Sequence, residues 1–238
     1  MCGRVVSTSS VTQLVDWLLV DQVVTAELPA SWNVAPGRDL YAVADTRSGT
    51  RRLGVMRWGL VPSWSADPSA GPRPINARAE TLLARPAFAD AVAHRRCLVP
   101  VDGFYEWRRL PGGVRQPWFI EPAGGGPLVL AGLWDRWTSG PTEDGDALVT
   151  VAIVTVAAND DVGRLHDRMP AVLDGPDAWD RWLDPATVDP DRVTDLLAPA
   201  PPGFLRLTPV GPRVNSVAND DPDLLDPAEE IEEPARLF

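Results

Sequence analysis

The second residue of this chain is a cysteine, in the opening sequence MCGR. If Met1 is removed, Cys2 becomes an amino-terminal aminothiol, in which an α-amine with an ordinary pKa of about 8 adjoins a thiol of about 8.5. Both groups are nucleophilic near neutral pH, whereas a cysteine within a chain has no neighbouring free amine. The alternative is a small buried residue on the first strand, although Gly3 favours close approach of another group.

Three polar side chains alternate within INARAET at 75–81. Asn76, Arg78 and Glu80 would share one face of a strand or extended loop, where an amide, a guanidinium and a carboxylate could contact one ligand. The alternative is a polar loop whose Arg–Glu pair lies on the surface and stabilises the fold little.

Glu106 lies among aromatic residues in GFYEW at 103–107. A carboxyl group in apolar surroundings tends to keep its proton and is suited to transferring it. The alternative is a strand in which Glu106 points outward while its neighbours point inward. His166, in LHDRMP at 165–170, is a second candidate acid or base, because an imidazole exchanges protons near neutral pH. His94, near the end of a predicted helix, is interpreted as a surface residue.

Two tryptophans, Trp58 and Trp64, flank a turn in WGLVPSW. They are interpreted either as core anchors or as a wedge on which nucleic-acid bases stack. The sequence contains no Cys and His spacing typical of a metal site, and no P-loop, GxGxxG or GxSxG motif. We therefore expect neither a metal nor a cofactor.

The composition indicates a globular protein in a reducing cytoplasm. The 238 residues are 45% hydrophobic and 23% charged, which is enough for a core that needs no disulfide. The longest apolar run, at 148–158, is shorter than the roughly 18 residues of a membrane span. The amino terminus has no signal-like apolar region, and two cysteines are too few for a disulfide framework.

The charge is distributed unevenly along the chain. Residues 1–120 hold 14 Arg against 10 acidic residues, whereas residues 121–238 hold 8 Arg against 23, which gives the net charge of −11. The acidic total disfavours a nucleic-acid partner. A basic groove built from the first half would nevertheless attract a phosphate backbone, because the local field is what a ligand meets.

The hydrophobic spacing predicts helices at 11–19 (capped by Ser9 or Ser10), 85–95, 176–183 and 190–198. Strands are predicted at 40–45, 52–58, 96–101, 117–121, 128–134, 148–156 and 205–209. Because the helices do not alternate regularly with these strands, we expect an α+β fold: a single domain with a largely antiparallel, barrel-like β-sheet core and flanking helices. This domain would span 1–225, and the acidic tail at 226–238 would lie on the surface or fray.

In their order along the chain, these motifs resemble the SRAP (SOS response-associated peptidase) family, which shields abasic sites in single-stranded DNA. The resemblance rests on MCGR at 1–4, WNVAPG at 32–37, MRWGLVPSW at 56–64, INARAET at 75–81, CLVPVDGFYEW at 97–107, QPWFI at 116–120, LAGLWD at 130–135, IVTVAAN at 153–159, LHDRMP at 165–170 and VNSVANDDPDLLDP at 214–227. The chain departs from the family at Ser31-Trp32, where a basic residue followed by Phe or Tyr is more usual.

The resemblance implies covalent chemistry at Cys2. After loss of Met1, the α-amine would attack the open-chain aldehyde of an abasic deoxyribose, and the thiolate would then close a thiazolidine crosslink. By the family match, Asn76 would hold Cys2 and the sugar, Glu106 would handle protons at the amine and thiol, and His166 would assist ring opening. The DNA-binding residues implied are Arg4, Asn33, Trp58, Trp64, Arg78, Arg85 and Arg168.

The expected partners are single-stranded DNA with abasic sites and replication-fork proteins, at the nucleoid in the cytoplasm, with no membrane and no small-molecule cofactor. Two other functions stay open. A cysteine peptidase or amino-terminal-nucleophile hydrolase, which the family name supports, would use Cys2 as nucleophile and His166 as base. A non-covalent single-strand-binding module would need only the Arg and Trp residues and would work without Cys2.

Overall fold

The structure, a computed structural model, describes residues 2–138 and 147–231. Its strands are β1 (Val5–Ser7), β2 (Gln22–Val23), β3 (Ser31–Val34), β4 (Asp39–Asp45), β5 (Arg51–Trp58), β6 (Asn76–Arg78), β7 (Arg96–Val101), β8 (Gly103–Arg109), β9 (Arg115–Pro122), β10 (Leu128–Trp137), β11 (Leu148–Ala157), β12 (Arg168–Pro170) and β13 (Leu205–Pro209). Its α-helices are α1 (Val11–Leu18), α2 (Pro86–His94), α3 (Asp160–Gly163) and α4 (Pro176–Leu183). Among the described helices, none combines the length and the apolar character needed to cross a membrane.

Five strands close into a barrel. Around the ring, β4, β7, β10 and β11 pair antiparallel in that order, and β5 closes it by pairing antiparallel with β4 and parallel with β11. Strand β7 is buried at every position and β11 at most of them, which explains why their sequences are mostly apolar and do not alternate. The predicted α+β fold with a barrel-like, largely antiparallel core is confirmed.

A second sheet carries the amino terminus, in the strand order β13, β9, β8, β1, β3. Strand β1 pairs with β8, with Val5 opposite Phe104 and Val6 opposite Gly103. Only glycine fits at position 103, because a Cβ atom there would lie 2.5 Å from the ring of Phe119 and 2.6 Å from the carbonyl oxygen of Ile120. This close approach packs β9 against β8, the strand with which β1 pairs.

A partly buried carboxylate fixes the other end of β1. Asp102, between β7 and β8, accepts hydrogen bonds from the backbone N–H of Thr8 (2.5 Å) and of Ser9 (3.2 Å) and from both of their hydroxyl groups. A carboxylate that receives several donors forms a strong local contact. The short strand that follows Cys2 is thus held at its sides and at its end.

The helix predictions succeed at three of four places. Helix α1 begins after Ser10, whose side chain forms a capping box with Gln13, α2 has Pro86 in its first turn, and α4 spans the predicted range. The helix predicted at 190–198 is wrong, because the segment forms two 3₁₀ turns, Pro190–Arg192 and Thr194–Leu196. The Asp189 side chain accepts from the Asp191 N–H, and such local bonds favour turns over a continuous helix.

The predicted surface tail begins as a bound segment. Val210 and Pro227 form a bridge, and the Gln116 side chain donates to the Glu229 carbonyl oxygen (2.8 Å) and accepts from the Ile231 N–H (3.0 Å). Residues 226–231 therefore lie against the second sheet and do not fray. The remainder of the predicted tail, 232–238, lies outside the described residues, and the domain boundary at 225 stays a prediction.

Candidate functional site

Cys2 lies three residues before β1, and its side chain is fully buried. The side chain of Asn76 donates a hydrogen bond to the Cys2 carbonyl oxygen, with an Nδ2···O distance of 2.7 Å. Burial raises the pKa of the Cys2 thiol, and the negative charge of Glu106 raises it further. The thiol is therefore protonated at neutral pH, and it must lose this proton before it can act as a nucleophile.

Asn76 is presented by the short strand β6, which pairs parallel with β11 so that Asn76 lies opposite Ile153. While Nδ2 holds Cys2, the Oδ1 atom of Asn76 is buried and has no hydrogen-bond partner among the described residues. A buried acceptor without a donor is costly. Asn76 Oδ1 is therefore available to a donor that enters the site, such as an ammonium group or a sugar hydroxyl.

Glu106 faces the interior from β8. Its side chain is 3% exposed, and it lies on the same face of the strand as the fully buried Phe104. The interpretation in which Glu106 points outward is therefore wrong. Because its charge acts on the Cys2 thiol, Glu106 joins the buried Cys2 and the half-buried Asn76 in one cluster, which we call the amino-terminal site.

His166 belongs to the turn before β12 and is partly exposed. Its Nδ1 atom lies 3.0 Å from the backbone nitrogen of Arg168 and 2.7 Å from Oδ1 of Asp167. A deprotonated Nδ1 can accept from the Arg168 amide, and a protonated Nδ1 can donate to the Asp167 carboxylate. Both protonation states thus have a partner, which suits proton exchange. His94 is exposed at the end of α2 beside Asp90, as predicted.

The predicted alternation of INARAET holds only in part. Strand β6 ends at Arg78, so that Glu80 lies in the 3₁₀ turn Ala79–Thr81 and not on the face of Asn76. Glu80 pairs with Arg168 through two contacts, of 2.6 and 3.0 Å, and Arg168 also donates to the Thr155 carbonyl oxygen (2.5 Å). The Arg168 guanidinium is thus already bound within the protein, and a phosphate would have to displace Glu80 to reach it.

A groove of about 580 Å³ adjoins Asn76. Among the described residues that line it, three are arginines (Arg73, Arg78 and Arg85) and none is acidic. Its wall includes the first turn of α2, where the helix N-terminus adds partial positive charge. Trp64, with 69% of its surface exposed, also lines this basic groove.

The basic groove brings together four of the predicted residues: Trp64, Asn76, Arg78 and Arg85. Sequence reasoning missed Arg73. Its signal was present, because GPRPI places a basic residue three positions before Asn76. The proline-rich spacing on both sides of Arg73 gives no helix or strand period, so the sequence does not indicate which way its side chain points.

Arg4 and Asn33 lie beside the site and bind the chain's closing segment. Arg4 donates to Oδ1 of Asn33 (2.7 Å) and to the Val214 carbonyl oxygen (3.0 Å). The buried Asn33 in turn donates to the carbonyl oxygens of Ser216 (3.0 Å) and Asn219 (2.7 Å). These contacts join Arg4 and β3 to residues 214–219, and they engage Nη1 of Arg4 and the side-chain amide of Asn33, two residues that the sequence suggested for DNA.

Trp58 is a core residue of the barrel. It is 1% exposed, and its indole N–H donates to the carbonyl oxygen of Ile75 (2.9 Å). It therefore supports the residue that precedes Asn76 and offers no face for stacking. The core-anchor interpretation holds for Trp58, whereas Trp64 is the exposed member of the pair. Within residues 2–138 and 147–231, no three His, Cys, Asp or Glu side chains group as metal ligands.

Comparison with known proteins gives a consistent result. The family model for SOS response associated peptidases (SRAP) matches residues 1–217, a range that includes the amino-terminal site and the basic groove. The abasic site processing protein YoaM of Bacillus subtilis is 37% identical over 227 residues, which cover 95% of this chain and 98% of that protein. The abasic site processing protein HMCES of Gallus gallus is 40% identical over 207 residues, which cover 78% of this chain and 60% of that protein.

Solved structures are similar over most of the chain. A crystal structure of a protein from Bacteroides thetaiotaomicron is 25% identical, with a TM-score of 0.74, and the match covers 85% of this chain and 87% of that one. A second, from Bordetella bronchiseptica, is 26% identical, with a TM-score of 0.72 and coverage of 88% and 100%.

Proposed function

Because this chain belongs to the SOS response associated peptidase (SRAP) family, we infer that it processes abasic sites in DNA, and we propose that it does so by a covalent crosslink through Cys2. The observation that carries the proposal is the hydrogen bond from Asn76 to the Cys2 carbonyl oxygen. It joins the residue that gains a free amine on loss of Met1 to a residue that lines the basic groove.

The proposed reaction begins at the aldehyde of the open-chain deoxyribose. The Cys2 amine adds to the carbonyl carbon, and loss of one water gives a Schiff base. The thiol then adds to the same carbon, its proton passes to the nitrogen, and a thiazolidine ring results. In this proposal Glu106 takes and returns protons at the amine and thiol, which its charge on the Cys2 thiol supports. The Oδ1 atom of Asn76, which has no partner among the described residues, holds the ammonium or a sugar hydroxyl.

His166 is assigned to opening of the sugar ring, which requires a proton on the ring oxygen. Its Nδ1 has a partner in either protonation state, and it is more exposed than Glu106. A general peptidase with a Cys2–His166 pair should cleave unrelated peptides, whereas a crosslinking protein should not. Release of Met1, a role at replication forks and a place at the nucleoid remain predictions from the family resemblance.

The basic groove supports a single strand as the ligand. An abasic position offers no base to read, so recognition depends on phosphates, stacking and the aldehyde. Arg78 and Arg85 are exposed and available as bidentate phosphate donors. Because the net charge of the protein is −11, the local field of these arginines has to offset a general repulsion of phosphates.

Intact-mass measurement tests the proposal directly. Protein that begins at Cys2 should gain the mass of an abasic single-stranded oligonucleotide less one water, in an adduct that survives heating. An oligonucleotide with a tetrahydrofuran in place of the abasic sugar lacks the aldehyde, and it should bind without adduct. Protein that lacks Met1 and forms no heat-stable adduct with the aldehyde-bearing strand would contradict the proposal.

The salt dependence of DNA binding tests the basic groove. Replacing Arg78 or Arg85 by alanine should weaken binding and lower the slope of log affinity against log salt by about 0.7 per lost phosphate contact. Arg168, which is held by Glu80, should contribute less. Arg47, exposed in the turn between β4 and β5, is the matched control, and its alanine variant should keep the wild-type slope. Unchanged slopes in both groove variants would place the strand elsewhere.

A further inference from the structure

Residues 61–65, which include the exposed Trp64, are hydrogen-bonded to side chains of the barrel. Three side chains bind their backbone: Thr150 accepts from the Val61 N–H (2.9 Å), Asp135 from the Ser63 N–H (2.8 Å), and the Trp137 indole donates to the Ser65 carbonyl oxygen (2.7 Å). All three are buried and come from the adjacent strands β10 and β11. A connecting segment on the groove is therefore fixed at alternate backbone positions on both sides of Trp64.

Asp135 is the member of this set whose burial costs the most free energy. A buried carboxylate loses its hydration and must be compensated by charge and hydrogen bonds. Arg95 supplies the charge, with an Nε···Oδ1 distance of 3.2 Å, and the Arg136 N–H donates to Oδ1 at 2.8 Å. The second oxygen, Oδ2, accepts from Ser63. An apolar residue would fill this position at less cost, so the carboxylate indicates a requirement for a fixed Ser63 backbone.

We propose that Asp135, together with Trp137 and Thr150, is a positioning residue that presents the Trp64 indole as a rigid stacking surface for the base next to the abasic position. The inference rests on the proposed function. A strand bound along Arg78 and Arg85 passes Trp64, because all three line the same groove. The base beside an abasic position has lost one stacking neighbour, and an indole can replace it. A fixed backbone lowers the entropy that ordering Trp64 would otherwise cost on binding.

The test compares variants of Trp64 with variants of its supports. Trp64→Ala should weaken binding of an abasic oligonucleotide by about 10-fold, within the range expected for loss of one stacked base. Asp135→Ala should weaken binding by a large part of the same 10-fold factor. Trp137→Phe and Thr150→Val remove the side-chain hydrogen bonds to Ser65 and Val61 but leave an apolar side chain in place, and each should weaken binding by about 2- to 5-fold. The matched control is Trp179→Phe, which removes the hydrogen bond to the Leu173 carbonyl oxygen away from the groove, and it should leave binding unchanged.

Two readouts separate positioning from a general structural role. A 2-aminopurine placed beside the abasic position should be quenched on binding to wild-type protein and to Trp179→Phe, and less so with Trp137→Phe or Asp135→Ala. In a Trp64→Ala background, the support variants should add no further loss of affinity. Equal losses in both backgrounds would overturn the inference, and so would unchanged quenching in Trp137→Phe and Thr150→Val.

The outcome for crosslinking is separate. If Trp64→Ala binds and crosslinks like wild-type protein, the stacking role is wrong while the covalent reaction at Cys2 stands. If wild-type protein without Met1 forms no adduct, the proposed function fails regardless of how Trp64 is held.

Discussion

Replacement of Cys2 by alanine should reduce the heat-stable adduct with abasic single-stranded DNA by roughly three orders of magnitude or more, the scale on which loss of a nucleophile acts. The alanine variant keeps an α-amine and can still form a Schiff base, but it has no thiol to close the ring. Its Schiff base should hydrolyse on heating and should survive only after reduction with borohydride. Denaturing gels with and without borohydride, together with intact mass to verify loss of Met1, measure both species.

Cys97 provides the matched control for this variant. It is the other cysteine of the chain, it is fully buried, and burial raises the pKa of its thiol as well. Cys97→Ala should therefore form the adduct at the wild-type level. A heat-stable adduct in Cys2→Ala without borohydride would show that another group makes the bond. Undiminished binding and cellular function in Cys2→Ala would instead favour the non-covalent module.

The second large effect separates Glu106 from His166. Glu106→Gln removes the buried acid and base beside Cys2, and it should slow crosslinking by about 100-fold, within the usual contribution of general acid–base catalysis. It should also impair any self-catalysed release of Met1, because both reactions involve the same terminal nitrogen. His166→Ala should slow the reaction yet approach a high final yield, since the aldehyde forms slowly without help. Time courses of adduct formation measure both.

The pH dependence of Glu106→Gln follows from the pKa of the thiol. The charge of Glu106 raises the pKa of the Cys2 thiol, so the glutamine variant has a thiol that ionises at lower pH than in the wild type. Hydroxide can also replace the missing base as pH rises. The deficit of Glu106→Gln should therefore shrink between neutral and alkaline pH. A wild-type rate in Glu106→Gln, with no adduct at any time in His166→Ala, would reverse the assigned roles.

The parts of the fold that the sequence predicts are those governed by local pattern. Strands β7 and β11 are mostly apolar, and α1 has a capping serine, so their ends are predictable within one or two residues. The segment 190–198 has a helical pattern of apolar residues, but the side chain of the preceding Asp189 accepts from the Asp191 N–H and the buried Val193 lies between two 3₁₀ turns. Local hydrogen bonds there outweigh the periodicity.

The site residues divide in a similar way. Cys2 and Glu106 can be found from position and from neighbours, because terminal chemistry and apolar flanks are visible in sequence. The engagement of Arg168 by Glu80 and the burial of Trp58 depend on which strands meet across the barrel, which no local pattern specifies. For the same reason the sequence alone does not reveal that Asp135, in LAGLWD, supports a segment some 70 residues earlier in the chain.

The hold of Asn76 on the amino-terminal residue has a consequence for engineering. Asn76 binds the carbonyl oxygen of Cys2 and leaves the Cys2 side chain untouched, so the group that orients the terminus is independent of the group that reacts. Serine at position 2 would then sit in the same place and offer a hydroxyl, giving an oxazolidine that opens in water more readily than the sulfur ring. Orientation of the terminal residue and reactivity of its side chain thus depend on different groups. Exchange of the side-chain sulfur at position 2 for oxygen would therefore shorten the lifetime of the DNA attachment without changing how the residue is held.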